Sequence, residues 1–212
     1  MIFLFFFWSI LSEVAMAIEE PEYTVIKDYD TFEVREYQPL TIAEVTIKGD
    51  QEEASNQGFR LLAGYIFGKN HQRAIDGEAT ISKKIEMTAP VVVTPAADPQ
   101  KIAMTAPVQV VAGGSGSYRV QFTMPKSYHL ENLPVPDDPR VSLKSVPARR
   151  VAVRQYSGSW SMTRYEEEKA ILDTGIKKAG LRPLGEAEFA RYNSPYALWF
   201  LRRNEVWIPV AP

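Results

Sequence analysis

The 212-residue chain contains no cysteine, and it has only two histidines, His71 and His129. The lack of cysteine excludes disulfides, thiol nucleophiles, iron–sulfur clusters and thiolate zinc sites, since each of them requires that residue. The scarcity of histidine excludes a histidine-rich metal centre. Basic charge is limited as well: the net charge is −2, and no basic run is longer than a pair such as Arg149-Arg150. Non-specific nucleic-acid binding needs a basic face that displaces counterions, so we expect no nucleic-acid partner.

Long hydrophobic runs are confined to the N-terminus. Met1–Leu11 is almost wholly apolar, and Ala15-Met16-Ala17 has the small-x-small form of a cleavage site. The run is too short to span a bilayer, which takes about 20 residues. We therefore expect residues 1–17 to be a signal peptide, and the protein to be periplasmic or secreted. No Lys or Arg precedes the apolar core, so a start site upstream and a retained membrane anchor stay open. An ordinary buried strand is the remaining alternative.

A ten-residue phrase occurs twice in the middle of the chain. Lys84–Val93 reads KIEMTAPVVV, and Lys101–Val110 reads KIAMTAPVQV seventeen positions later. The apolar residues of each copy fall on one parity, which on a strand places them on one face. The proline-containing segment between the copies indicates a loop. The repeat predicts an antiparallel pair of strands lining an apolar interior, with Met87 and Met104 on the same inner wall.

Most of the other segments show the short alternating pattern of strands. Strands are predicted at Tyr23–Ile26, Phe32–Tyr37, Leu40–Ile47, Tyr118–Met124, Leu143–Tyr156 (as a pair), Ala187–Tyr192 and Leu198–Val210. The first two form a hairpin.

Two helices are predicted from apolar spacing and end signals. The first begins after Asp50, a suitable N-cap with Glu53 three positions later, and ends at Gly68. The second runs from about Ser161 to Ala179 and ends at Gly180.

The second half of the chain repeats the element order of the first. Each half reads strand, strand, helix, strands, and Arg154-Gln155-Tyr156 resembles Arg35-Glu36-Tyr37. We interpret Tyr37 and Tyr156 as equivalent positions of two halves. The fold class is therefore predicted as α+β, an internally duplicated β-barrel flanked by two main helices.

Several phrases together resemble the SOUL/haem-binding protein family. They are Phe32–Tyr37, Gly58–Asn70, the two Met-Thr-Ala-Pro-Val phrases, Tyr192–Pro195 and Arg202–Trp207. The resemblance covers Pro21–Val210, and residues 18–212 are taken as one domain of this type. It implies a distorted antiparallel barrel with pseudo-two-fold symmetry, shared with bacterial drug-binding regulator domains. It also implies that the protein binds haem or a related tetrapyrrole.

The resemblance also implies where the ligand lies. In one branch of the family haem is thought to occupy an apolar groove beside the first helix, without a strong axial ligand. The matching helix positions, joined with the two methionines of the inner wall, give the predicted binding residues: Asn56, Phe59, Leu62, Ala63, Ile66, Met87 and Met104. In another branch a histidine ligand occupies the position that is Glu36 here, so that ligand is absent. His71 and His129 are the remaining candidates for iron, and a solvated loop histidine is the alternative for each.

The predicted function is non-enzymatic binding of a porphyrin, stabilised by burial of its flat apolar surface. Arginines near the rim, namely Arg35, Arg154, Arg202 and Arg203, would steer the propionates, although an internal ion pair between Arg203 and Glu205 is the alternative for that residue. The inner wall could instead be a filled core. A hydrolase or isomerase with a buried glutamate (Glu36, Glu44 or Glu205) is a second possible function. A protein-interaction module with an exposed apolar patch is a third.

Overall fold

The computed structural model of the protein describes residues 19–72, 100–114, 116–193 and 197–212. The N-terminal segment 1–17, the first copy of the repeated phrase and Met87 lie outside the described residues. The signal peptide and the pairing of the two repeated strands therefore stay predictions. Among the described residues, no helix has the length and apolarity needed to cross a bilayer.

The described residues form eleven strands, two α-helices and one short 3-10 helix. The helices are α1 Gln51–Ile66, α2 Met162–Lys178 and the 3-10 helix Trp199–Leu201. The strands are β1 Tyr23–Tyr29, β2 Phe32–Tyr37, β3 Leu40–Lys48, β4 Asn70–His71, β5 Val108–Gly114, β6 Ser117–Thr123, β7 Val135–Pro136, β8 Ser142–Val146, β9 Arg149–Tyr156, β10 Glu188–Arg191 and β11 Asn204–Pro209.

Nine strands form one curled antiparallel sheet in the order β1-β2-β9-β11-β10-β5-β6-β3-β8, and β4 pairs with β7 separately. The sheet has two edges, β1 and β8, so it is a half-barrel rather than a closed barrel. The α+β class with two main helices is confirmed. A hydrophobic core lies between this sheet and the helices, where α1 packs on β3, β5 and β6 while α2 packs on β9 and β11.

The internal duplication is visible in the strand order. Exchanging β2 with β8, β9 with β3, β11 with β6 and β10 with β5 reverses the order of the eight strands from β2 to β8, as a two-fold axis between β5 and β10 requires. In each half, one long strand is followed directly by the helix: α1 follows β3, and α2 follows β9. The assignment of Tyr37 and Tyr156 as equivalents is therefore wrong. Tyr37 lies on β2 and Tyr156 on β9, and these two strands pair directly with each other.

Both helices begin and end where their caps predict. The Asp50 carboxylate accepts a hydrogen bond from the Glu53 backbone N–H at 2.8 Å, and the Ser161 hydroxyl accepts one from the Arg164 N–H at 3.3 Å. Each bond satisfies an N–H that has no partner within the helix. At the other ends, Gly68 and Gly180 follow the last turns with φ values of 117° and 68°. Those values favour glycine over residues with a side chain.

Two predicted strands are shorter than expected. The strand predicted from Lys101 begins only at Val108, because the backbone before it bonds to other segments: Ile102 N–H donates to Ile66 O at 2.8 Å. The parity also breaks there, since neighbouring Thr105 and Ala106 are both buried while Met104 is 36% exposed. Met104 therefore does not lie on an inner wall. The last predicted strand begins at Asn204 rather than Leu198, because a 3-10 helix precedes it.

Gly58, in the middle of α1, gives a test of helix–sheet packing. A β-carbon added there would lie 2.5 Å from Val120 Cγ2 on β6, whereas one added at Gly64 would meet only the flexible Lys69 side chain at 3.1 Å. We expect Gly58→Ala to lower the free energy of unfolding by about 1–3 kcal/mol because of overpacking. Gly64→Ala should leave it unchanged or raise it by up to about 1 kcal/mol through helix propensity. Urea unfolding followed by circular dichroism measures both, and equal effects would contradict this packing.

Candidate functional site

A groove opens beside the first half of α1, where the helix faces the start of β5 and the end of β10. Its volume is about 100 Å³. It is lined by Ser55, Asn56 and Phe59 of α1, Val108 and Val110 of β5, Trp160, Arg191 and Asn193. Small-molecule pockets usually enclose about 300–1,000 Å³. The groove is therefore large enough for one edge of a porphyrin-sized molecule rather than for the whole of it.

The apolar floor of the groove follows from two regular elements. Asn56 and Phe59 are three residues apart and share one side of α1. Val108 and Val110 alternate on β5 and so share the face that packs against the helix. The Phe59 ring meets Phe122 of β6 edge to face, with ring centroids 5.3 Å apart. That contact fixes the aromatic wall of the groove.

Arg191 supplies the positive charge of the groove. It ends β10 opposite Val108, on the face that packs toward the helices. Its guanidinium carbon lies 4.5 Å from the ring centroid of Phe189 and 5.0 Å from that of Trp160. Its buried Nε atom has no hydrogen-bond partner. Burial lowers the pKa of Arg191 to about 10, so the side chain is still charged at neutral pH.

Trp160 is held in place from two sides. Its indole N–H donates to Asn204 Oδ1 at 2.7 Å, and Asn204 in turn donates to Gly158 O at 3.2 Å. The guanidinium carbon of Arg202 lies 4.4 Å from the indole centroid, close to the cation–π optimum. The ring is thus a fixed flat surface at the edge of the groove, with two arginines against it.

The chemistry of the lining fits a flat molecule that carries a carboxylate. Aromatic and aliphatic side chains offer area for burial, and the Arg191 guanidinium offers donors that match a carboxylate. No acidic residue lines the groove. None of the lining residues is a histidine, methionine, cysteine or tyrosine, the usual axial ligands of haem iron. The residues therefore fit the propionate edge of a porphyrin and provide no iron ligand.

The seven predicted binding residues do not come together in one site. Asn56 and Phe59 line the groove, and Ala63 is half-buried nearby on α1. Leu62 and Ile66 are 0% and 1% exposed and belong to the core beneath the helix. Both side chains point toward the sheet, because they lie on the part of the apolar face of α1 that is turned away from the groove. Met104 is outside any strand and exposed, and Met87 lies outside the described residues.

Sequence reasoning missed Trp160 and Arg191. Arg191 is two residues after Phe189, so a charged residue occupies a position where the alternating pattern of the strand predicts a core residue. That mismatch was the available signal. Trp160 stands in a short polar segment before α2, and nothing in its neighbourhood marks it.

Neither histidine reaches the groove. The His71 side chain is 60% exposed, and its Nδ1 lies 2.8 Å from Asp137 Oδ1. His129 lies at a second cavity of about 230 Å³ together with Glu19, Glu20 and Glu22. The three glutamates outnumber Lys126, the basic residue of that lining, so the cavity is unfavourable for a propionate. In the described ranges, no group of three or more histidine, aspartate and glutamate side chains is arranged to hold a metal ion.

The opposite face of the sheet carries a buried ionic cluster centred on Glu205, which is 0% exposed. One carboxylate oxygen accepts from Arg35 Nη1 at 3.1 Å and from Arg203 Nη2 at 3.0 Å. The other accepts from the Tyr192 hydroxyl at 2.7 Å and the Trp207 indole N–H at 2.6 Å. Burial, together with the charge of Glu205, raises the pKa of Tyr192, so its hydroxyl stays a donor.

The arginines predicted at a rim are mostly engaged inside the protein. Burial alone would lower the pKa of Arg35, but the Glu205 carboxylate raises it overall, and Arg203 behaves in the same way. Arg154 pairs with the buried Glu168. The internal pairing of Arg203 with Glu205 is thus observed, and Arg202 lies beside Trp160 at the groove.

The other two glutamates considered for catalysis are also paired. Glu44 is buried and contacts Lys144 and the Gln121 amide, and Glu36 pairs with Arg150 at 3.0 Å. A third cavity, of about 220 Å³, lies on the face away from the helices. It contains Arg119 and Glu188, and Glu188 is held by both terminal nitrogens of Arg149 at 2.6 and 2.9 Å.

Neutralising Glu205 tests the buried cluster. Glu205→Gln removes the counter-charge that buried Arg35 shares with the partly buried Arg203, so we expect the free energy of unfolding to fall by about 3–5 kcal/mol. Glu36→Gln is the matched control, since it removes a partly exposed ion pair on β2 and should cost less than about 1 kcal/mol. Urea unfolding measures both changes. Similar losses in the two variants would contradict the geometry described for Glu205.

The solved structures with this fold include a hydrolase from Listeria innocua and the C-terminal domain of EcmrR. The hydrolase aligns with a TM-score of 0.55 at 13% identity, over 88% of this chain and 94% of that one. The EcmrR domain aligns with a TM-score of 0.54 at 9% identity, over 89% of this chain and 98% of that one. At such low identities these similarities show a common fold alone.

The sequence comparisons are more specific. Heme-binding protein 2 of Mus musculus is 28% identical over 204 residues, which make up 91% of this chain and 86% of that protein. A family model described as SOUL heme-binding protein matches residues 18–209. The match covers nearly the whole chain, and the protein therefore belongs to the SOUL haem-binding protein family.

Proposed function

We propose that the protein binds haem or a related porphyrin reversibly in the groove beside α1 and does no chemistry on it. The observation that carries this proposal is Arg191, a charged side chain set among aromatic rings with one buried N–H that has no partner. An unsatisfied buried donor is costly, and a ligand carboxylate that reaches it would remove that cost. Membership of a haem-binding family supports the same conclusion.

The apolar part of the ligand would lie against Phe59, Val108 and the Trp160 ring. Burial of flat apolar area stabilises such a complex by about 25 cal/mol per Å². The groove lining offers no axial ligand, so the affinity would come from burial and from the propionate contact. Iron would contribute little, and a metal-free porphyrin should bind about as well as haem.

Catalysis by a buried glutamate has less support. Both oxygens of Glu205 already accept two or more hydrogen bonds, and Glu205 lines none of the three cavities described above. Glu44 is held by Lys144 and Gln121. A general base needs a free lone pair within reach of the substrate, and these carboxylates are occupied.

A haemin titration followed by Soret absorbance tests the proposal. We expect Arg191→Gln to weaken binding by roughly 10- to 100-fold, the equivalent of about 1.5–3 kcal/mol for a hydrogen bond to a charged group. Arg119→Gln is the matched control: it removes the same charge, its Nε is also buried without a partner, and it lies at the cavity on the other face. Equal weakening in both variants would contradict the groove as the site.

The same titration separates burial from iron ligation. His71→Ala and His129→Ala should keep the perturbed Soret band, since both histidines lie away from the groove. Loss of binding in either variant would show that a histidine holds the iron. Absence of haemin binding in the unmodified protein would overturn the proposed function.

Export of the protein is part of the proposal, with residues 1–17 as its signal. Cleavage after Ala17 removes an apolar segment and leaves Ile18 as the first residue. N-terminal sequencing of the protein from its native host should then begin at Ile18. A retained Met1 in exported protein would show that the segment is an anchor, and a cytoplasmic location would contradict export.

A further inference from the structure

The loop between β10 and β11 presents four consecutive large apolar residues to solvent. Leu198, Trp199, Phe200 and Leu201, here called the LWFL turn, are 58%, 62%, 52% and 66% exposed. Single exposed apolar residues are common, but a contiguous exposed group of this size marks a contact surface. The sequence pattern predicts a buried strand here, and the structure instead places these side chains outside the core.

The LWFL turn is a formed structure and not an extended strand. Trp199–Leu201 is a 3-10 helix, closed by a hydrogen bond from Leu201 N–H to Leu198 O at 2.9 Å. The Trp199 and Phe200 rings meet edge to face with centroids 5.6 Å apart. At its base, Arg202 Nε donates to Ala197 O at 2.9 Å. The turn is therefore held by its own backbone and ring contacts, and each of the four apolar residues keeps more than half of its surface exposed.

The composition of the turn matches a lipid interface. Trp, Phe and Leu side chains partition into the headgroup region of bilayers, and tryptophan is enriched there. Residues 197–203 carry no acidic side chain, and Arg202 follows the apolar group directly. An arginine at the border of an apolar insertion contacts phosphate groups and favours anionic lipid.

An acidic residue from the start of the described chain lies near the LWFL turn, but it is paired. Glu20, near the start of the described residues, accepts from Arg203 Nη1 at 2.9 Å, and Arg203 is two residues from Leu201. This ion pair neutralises the Glu20 carboxylate, so that side chain does not oppose an anionic surface.

We propose that the LWFL turn inserts into the surface of an anionic phospholipid bilayer. The groove beside Trp160 then opens next to the membrane, because Arg202 joins the turn to that indole. The insertion is a surface contact that is independent of the porphyrin proposal.

Site-specific labelling tests the insertion directly, since the chain has no native cysteine. Phe200→Cys and Leu184→Cys, each labelled with an environment-sensitive fluorophore, are a matched pair at 52% and 56% exposure. Leu184 N–H bonds to Pro209 O at the far end of β11, so that label is distant from the turn. The two labelled proteins have the same N-terminus, so any binding through it is common to both.

With vesicles of phosphatidylcholine and phosphatidylglycerol, iodide quenching at position 200 should fall by about an order of magnitude as the label enters the interface. Quenching at position 184 should not change, and vesicles of phosphatidylcholine alone should give a smaller effect at position 200. Equal quenching at the two positions would overturn the proposal. Protection of position 200 that rises with protein concentration without vesicles would also overturn it, since a second copy would then cover the turn.

Discussion

The buried carboxylate of Glu205 organises the part of the molecule on which the proposed function depends. It binds Arg35 of β2, Arg203 just before β11 and the Tyr192 hydroxyl just after β10. A buried charge is tolerated only when it is paired and hydrogen-bonded, so these partners cannot move independently. The two ends of the β10–β11 loop are fixed by this one group. The LWFL turn lies between these two anchored ends.

The side chains of Arg202-Arg203-Asn204-Glu205 lie alternately on the two faces of the sheet. Arg203 and Glu205 take part in the ionic cluster on the face away from the helices. Asn204 binds the Trp160 indole, and Arg202 lies over that ring beside the groove. Alternation along a strand makes this division possible. The groove and the apolar turn are thus neighbours for a structural reason, and Arg191 is left as the charged side chain inside the groove.

Features with strong local signals could be predicted from the sequence, and the helices show this best. Asp50 and Ser161 at the starts, with Gly68 and Gly180 at the ends, mark both of them because caps act through neighbouring residues. The order of elements indicated an internal duplication, but it did not show which strands of the two halves are equivalent. Tyr37 and Tyr156 share a local motif on strands that are neighbours and not symmetry mates.

The site itself was predictable only in part. Asn56 and Phe59 followed from the family resemblance, whereas Leu62 and Ile66 share their helix and face the core. Met104 fits the alternating pattern of a strand, but the long-range hydrogen bond from Ile102 N–H to Ile66 O directs the backbone there away from the sheet. Tertiary contacts of this kind leave no local signal. The LWFL turn is a second case: its run of apolar residues predicts a strand, but the structure has a 3-10 helix there.

NMR can test the proposed contact between Arg191 and a carboxylate of a planar tetrapyrrole in the groove beside α1. Metal-free protoporphyrin avoids paramagnetic broadening, so nitrogen-15 NMR can follow the arginine Nε and tryptophan indole N–H signals during its addition. We expect saturable shifts of the Arg191 Nε–H and the Trp160 indole N–H, with no change at Arg119. Shifts at Arg119 or around His129, with Arg191 and Trp160 unaffected, would contradict it.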